Sequence, residues 1–130
     1  MADASIGAVV VGGAISVKAA AAIAKGVCVY PTTTIGTWAK AAGANGAVKG
    51  IASEAATAAG KNISVVLIGG TEAVAGAAIA TPGTWLKCDA DGFVVAADTD
   101  ADNIIGYSLG IATAKNDVIP VFVCPGTYEV

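Results

Sequence analysis

The sequence predicts an all-β protein, a small β-barrel or β-sandwich built from two tandem repeats, with short loops and at most a short helix. Three observations lead to this prediction. Short runs of β-branched residues recur along the chain, Gly-, Pro-, Asp- and Asn-rich turns separate them at intervals of about ten residues, and one half of the chain echoes the other. A length of 130 residues fits a single domain with its own core.

Two segments that lie 56 positions apart carry the repeat. GIASEAATAAGKNISVVLIGG at 50–70 aligns without a gap with GYSLGIATAKNDVIPVFVCPG at 106–126. Each runs from a glycine, through a loop of small residues, to a strand that closes on glycine. Upstream, AAIAKGVCV at 21–29 matches AAIATPGTWL at 77–86, with Pro82 as a one-residue insertion.

The repeat predicts how the chain is organised. Residues 1–17 form an N-terminal arm or edge strand, and 18–130 form a single β domain made of two pseudo-repeats, about 14–70 and 71–130. One half alone has little apolar face to bury, so we expect the two copies to close one β-structure together.

The first half contains short strand signals. VCVY at 27–30, a segment centred on Trp38 and ISVVLI at 63–68 are rich in β-branched and aromatic residues. A short turn of chain is expected around 48–51. In the second half, the predicted strands are 84–88, 93–97, 104–112 and 118–124.

The N-terminal stretch is apolar, but it matches neither a signal peptide nor a membrane span. Its first charge is Asp3, whereas a signal peptide begins with positive charge. It is rich in Gly and Ala and contains Lys18, whereas a spanning helix needs about 20 strongly apolar residues. We therefore expect an arm followed by a strand, and no membrane partner.

Two alanine-rich segments, 19–25 and 52–61, have helical propensity. Neither has an apolar stripe with a period of 3.6 residues, because alanine lies on every face. The counterpart of the second segment contains Gly110 and has lower helical propensity. Loop or strand is therefore favoured over helix at both places, although a single helical turn stays compatible with the sequence.

The composition argues against an enzyme and against a nucleic-acid-binding protein. The chain has no His and no Arg, so it lacks the commonest general base, the commonest metal ligand and the bidentate anion-binding side chain. Its net charge is −3, which leaves no basic surface for nucleic acid. The Gly-rich segments do not match a dinucleotide- or phosphate-binding loop. We expect no catalytic residues and no cofactor.

The sequence also predicts no metal site. DTDADN at 98–103 opens like a calcium loop, but its sixth position is Asn and its twelfth is Leu, so a solvated hairpin loop is expected. Cys28, Cys88 and Cys124 are odd in number and lack CxxC spacing. Free, buried thiols are therefore expected.

Trp38 and Trp85 are the largest side chains in a chain of small residues. Each follows a turn, TTTIG in the first case and TPG in the second. They can fill the ends of a barrel, or one of them can anchor a contact between subunits, where aromatic residues are enriched.

Three strings in the second half carry a family resemblance. A-I-x-x-P-G-T-W-L-K-x-D-x-D-G-x-V-x-A, then N-I-I-G-Y-S-L-G-I-A, then V-I-P-V-F-V-x-P-G resemble bacteriophage capsid decoration (cement) proteins. The resemblance is clearest over 77–126, with 21–70 as a weaker echo. No single motif is specific, and the order and spacing of the turns carry it.

The resemblance implies a structural virion protein without an active site. Such proteins bind the outer surface of the expanded head as small homo-oligomers, dimers or trimers, and clamp neighbouring major capsid subunits against internal DNA pressure. The protein would be made in the host cytoplasm and located on the capsid surface of the virion. The capsid or subunit interface would comprise apolar residues of the arm and the two tryptophans: Ile6, Val9, Val10, Val11, Ile15, Trp38 and Trp85.

Two other functions stay open. A non-catalytic β-barrel that binds carbohydrate or a host surface is the main alternative, and it would be favoured if Trp38, Trp85 and Tyr107 converged in one exposed groove. A structural protein of a tail or head fibre is the third, and the absence of heptads argues weakly against it.

Overall fold

A computed structural model describes residues 13–42, 48–98 and 103–127, and the structural statements below concern these residues. Their regular structure is entirely β, and they contain no helix that could cross a membrane. The strands are β1 (Ala14–Ala19), β2 (Cys28–Pro31), β3 (Thr37–Lys40), β4 (Gly50–Ala52), β5 (Asn62–Val66), β6 (Gly69–Val74), β7 (Trp85–Cys88), β8 (Val94–Ala96), β9 (Asn103–Ser108) and β10 (Val118–Thr127).

The first five strands close into a barrel in the order β1-β3-β2-β4-β5. Closure depends on β1, which pairs antiparallel with β5 and parallel with β3. Val17, Val29 and Ile63 fill the interior together with Trp38. This corrects the expectation that neither half could close alone, because the inward side chains of five short strands are enough to fill a narrow barrel.

The last five strands form a second sheet in the order β6-β10-β9-β7-β8. A parallel bridge between Ala75 and Val94 brings its two outermost strands together. The pairing repeats that of the first half: Val17 opposes Ile63 in one half, and Ala73 opposes Ile119 in the other, 56 positions along. The prediction of an all-β fold built from two tandem repeats is therefore confirmed.

Isolated bridges hold the alanine-rich segments in the same way in both halves. Ile23 pairs with Ala56, and Ile79 pairs with Ala112. In each bridge the two residues exchange backbone hydrogen bonds of 2.8–3.0 Å. The segments are therefore loops pinned at one point, as the lack of an apolar helical stripe predicted.

The two halves pack against each other asymmetrically. Cys28, Ile51 and Val66, on β2, β4 and β5 of the first barrel, belong to the core of the second half rather than to the barrel interior. The outer face of the first barrel is thus covered by the second half. The corresponding outer face of the second half faces the surface.

Candidate interaction surface

Three aromatic rings form a row across β7, β9 and β10 on the outside of the second sheet, here called the aromatic face: Trp85, Tyr107 and Phe122. The Trp85 and Tyr107 ring centroids lie 5.4 Å apart at 83°, and those of Tyr107 and Phe122 lie 5.4 Å apart at 24°. These are the edge-to-face and stacked arrangements that aromatic pairs prefer. Trp85 is 42% exposed, whereas the adjacent Leu86 is fully buried, as strand alternation requires.

The aromatic face extends along β10. Val118 is 59% exposed, and Pro120 is exposed on the same side of the strand. Rigid aromatic side chains on a sheet lose little conformational entropy when a partner covers them, which is why aromatics are enriched in interfaces. The surface is therefore suited to binding another protein.

Hydrogen bonds of Ser108 and a close contact at Gly106 fix the backbone beneath the aromatic face. Ser108 is fully buried; its hydroxyl accepts a hydrogen bond of 3.2 Å from the Thr84 amide and donates one of 3.3 Å to the Thr81 carbonyl. These bonds fix the turn that precedes Trp85. Gly106 lies so close to β10 that a Cβ there would collide with the Phe122 carbonyl oxygen.

The predicted interface residues fall in different places. Trp38 is only 9% exposed and fills the first barrel, so we do not retain it as an interface residue. Trp85 and Ile15 are 42% and 39% exposed. The remaining four predicted residues lie outside the described residues: Ile6, Val9, Val10 and Val11.

Because Trp38 lies in the core, the three residues that would favour carbohydrate binding do not converge. Trp85 and Tyr107 are neighbours on a sheet face, and Trp38 is inside the other half.

A groove of about 750 Å³ lies where the two halves meet. Ile23, Val27 and Phe93 supply apolar lining, and Lys40 and Lys115 contribute the cationic groups. The Lys115 ammonium lies 3.6 Å from a carboxylate oxygen of Asp91, which also lines the groove. Exposed ion pairs of this kind contribute little to the free energy of folding. This pair therefore makes the groove polar but adds little stability.

The turn that carries Lys115 is fixed by one carboxylate. Asp117 accepts hydrogen bonds from the Thr113 amide and hydroxyl, both 2.8 Å, and from the Ala114 amide, 3.2 Å. These bonds lower the pKa of the Asp117 carboxyl, with the Thr113 hydroxyl as the largest cause.

We expect Asp117→Asn to lower the melting temperature at pH 7, and to lower it progressively less as the pH falls below about 3.9. A carboxylate whose pKa is lowered by folding stabilises the folded state above its unfolded pKa, about 3.9, and that contribution disappears as pH falls through the lower folded pKa. Melting curves of the wild type and the variant from pH 7 to pH 2 measure the difference. Asp91→Asn controls for the lost charge, and a melting gap that stays constant with pH would contradict the explanation.

The three cysteines are free thiols, of which Cys28 and Cys88 are buried and Cys124 is half-buried. Cys28 and Cys88 are buried and face each other across the junction of the halves. A hydrogen bond with Cys88, followed by burial, raises the pKa of the Cys28 thiol well above its ordinary value. Burial also raises the pKa of Cys124. Within the part of the chain that the structure describes, no three potential metal ligands come together.

Comparison with known structures identifies a protein of the same fold. This chain is similar to the head fiber gp8.5 N base of bacteriophage phi29, with a TM-score of 0.69 and 15% sequence identity. The similarity covers 90% of this chain and 98% of that one. No protein family model and no curated protein sequence matches the chain. At this identity the likeness establishes the shared fold.

Proposed function

We propose that the chain is a structural protein of a phage particle, which binds the outer surface of the capsid and stabilises the expanded head by clamping neighbouring major capsid subunits. The observation that carries this proposal is the fold that it shares, over 90% of its length, with the base of a phage head fiber. The resemblance of the sequence to capsid decoration proteins points to the same function.

The architecture suits a clamp because the two halves are packed together in the part of the chain that the structure describes. The two halves share one core, in which first-half residues such as Ile51 pack with second-half residues such as Leu86. Single bridges pin the long alanine-rich loops in both halves. Close-packed interiors have low compressibility and transmit strain, so such a body can carry load between the subunits that it touches.

The proposed role requires no catalysis. Thiols are buried or have raised pKa values, and the well-placed carboxylate Asp117 serves a turn. The proposed partner is the major capsid protein, and the proposed location is the capsid surface of the virion, with the protein acting as a dimer or trimer.

We propose that the N-terminal segment 1–17 contacts the capsid through Ile6, Val9, Val10, Val11 and Ile15. Support comes from their apolar character and from the 39% exposure of Ile15 on β1. Removing apolar side chains from water at a contact with a partner is favourable.

We expect the purified protein to co-sediment with expanded heads of its phage that lack it, and to saturate at a fixed ratio to the major capsid protein. Counting bound copies per shell measures this. We expect Val10→Asp to weaken binding by about tenfold or more, because a charge must then be desolvated at the contact.

Ile111→Asp is the matched control, since Ile111 is 53% exposed on a loop of the second half. It should bind as the wild type does. Failure of the folded wild-type protein to bind expanded heads would refute capsid binding, whereas equal loss in both variants would refute only the proposed contact segment.

The alternative is a carbohydrate- or host-surface-binding module, which the adjacent Trp85 and Tyr107 rings favour. Sugars stack on exposed aromatic rings, so this alternative predicts glycan-array binding that Trp85→Ala abolishes. The flat position of the rings on a sheet makes it the weaker candidate, because small-molecule sites are usually concave.

A further inference from the structure

The aromatic face occupies the position that, in the first half, is covered by the other half. Trp85 pairs with Tyr107, and Tyr107 pairs with Phe122, across β7, β9 and β10. In the first half the corresponding strands are β2, β4 and β5. There Cys28 pairs with Ile51, and Ile51 pairs with Val66. We call this second set the junction row.

The junction row is a completed interface within the chain. Cys28 and Ile51 are fully buried and Val66 is 8% exposed, although all three lie outside their own barrel. The aromatic face, by contrast, leaves Trp85 42% exposed. The same position in two copies of one fold is therefore covered in one copy and open in the other.

One end of the second half covers the junction row of the first half. The turn between β7 and β8 lies on the first half, where the Cys28 amide donates a 2.8 Å hydrogen bond to the Gly92 carbonyl. A Cβ on Gly92 would lie 3.0 Å from both the Ala41 carbonyl oxygen and the Lys40 side chain, so the contact is close. The thiol of Cys88, at the end of β7, meets that of Cys28.

Among the residues that the structure describes, none covers the corresponding end of the first half. Its turn between β2 and β3 also contains a glycine with positive φ, 79° at Gly36 compared with 82° at Gly92. Ile35 at this turn is 98% exposed, and Ile68, which follows β5 at the same end of the barrel, is 59% exposed. We call these two residues and their turn the apolar end.

We infer that the chain self-associates head to tail: the apolar end of one copy covers the aromatic face of the next, repeating between chains the contact that joins the two halves within one chain. The occupant of the aromatic face is thus a second copy. The contact joins two different surfaces, so its repetition produces a ring if the rotation between copies closes. This deepens the homo-oligomeric part of the proposed function.

The expected free energy of association comes from the apolar side chains that each surface exposes to water. The apolar end exposes two isoleucines, and the aromatic face exposes a tryptophan. Covering such side chains is favourable by about 25 cal/mol for each Å² of apolar area removed from water. Buried aromatic anchors that enter an apolar contact are also the usual hot spots of interfaces.

The test uses the purified full chain without capsids, so that its failure is distinct from a failure of capsid binding. Light scattering coupled to size-exclusion chromatography should give a mass that is a multiple of the 12.5 kDa chain. Trp85→Glu and Ile35→Asp should each weaken association by about tenfold or more. Both residues are exposed, and circular dichroism verifies the fold of each variant. Ile111→Asp should leave the mass unchanged.

Mixing the two variants separates a head-to-tail contact from a symmetric one. Trp85→Glu keeps an intact apolar end, and Ile35→Asp keeps an intact aromatic face, so the mixture should form heterodimers that cannot extend. A symmetric contact between two aromatic faces would lose association in Trp85→Glu alone and give no such heterodimer. That outcome would overturn the inference, as would a monomeric wild type or an unchanged mass in both variants.

Discussion

Gly106→Ala is expected to lower the free energy of unfolding by about 3 kcal/mol, a large effect for one methyl group. The added Cβ would collide with the Phe122 carbonyl oxygen and lie 2.9 Å from the Phe122 carbonyl carbon and 3.0 Å from the Val123 Cα. These are backbone atoms of β10, which cannot rotate away as a side chain can. Relief therefore requires β9 and β10 to separate. Urea unfolding at 25 °C measures the loss.

Gly126→Ala is the matched control on the same pair of strands. Its Cβ would meet only the Ile104 side chain, 3.7 Å away, which is an ordinary van der Waals contact. We expect a change within about 0.5 kcal/mol. Equal effects of the two substitutions would mean that a collision between the new Cβ and β10 is not the cause of the lost stability in Gly106→Ala.

The strands that the sequence predicted correctly are those whose local composition agrees with their final environment. Cys28–Pro31, Trp85–Cys88 and Val118–Thr127 overlap the predicted strands, because β-branched and aromatic residues there fit a half-buried pleated surface. β6 was missed because it begins with Gly69 and Gly70, which favour no strand. It is a strand because β10 offers it a hydrogen-bonding edge, which local composition does not report.

The repeat predicted the duplicated topology but not how the copies meet. Sequence identity at corresponding positions indicates a common shape, and the shared pairing of Val17 with Ile63 and Ala73 with Ile119 confirms it. Packing depends instead on where the copies differ. In the first half this position carries small or aliphatic residues such as Cys28 and Ile51, and the second half covers them. The corresponding position in the second half carries aromatic rings, and it lies at the surface.

The candidate surface was predicted only in part for the same reason. Trp38 and Trp85 look alike in the sequence, and both follow turns. They lie on different faces of their strands, so Trp38 is buried in the first barrel and Trp85 is exposed on the second sheet. Phe122 was not identified, since its place beside Tyr107 depends on the register between β9 and β10. Aligning the second half on the first would have indicated which outward positions correspond. The absence of heptads also says little about a fibre, because the similar fiber base has this β fold.

Ile51→Ala should lower the free energy of unfolding by about 3 kcal/mol and should destabilise both halves together. Ile51 is fully buried, lies on β4 of the first barrel and packs into the core of the second half. Truncation leaves a cavity at the junction of the two halves. The halves should therefore unfold in one transition, because each depends on the same buried contact.

Single-tryptophan variants can follow the halves separately, since Trp38 lies in the first barrel and Trp85 on the second sheet. Ile51→Ala is expected to shift the urea midpoints of both fluorescence signals by the same amount, whereas Ile111→Ala, at an exposed isoleucine, should shift neither. A shift confined to one signal would mean that the halves are independent units. The contact within the chain would then be too weak to serve as a template for contacts between chains, so this result bears directly on the head-to-tail assembly.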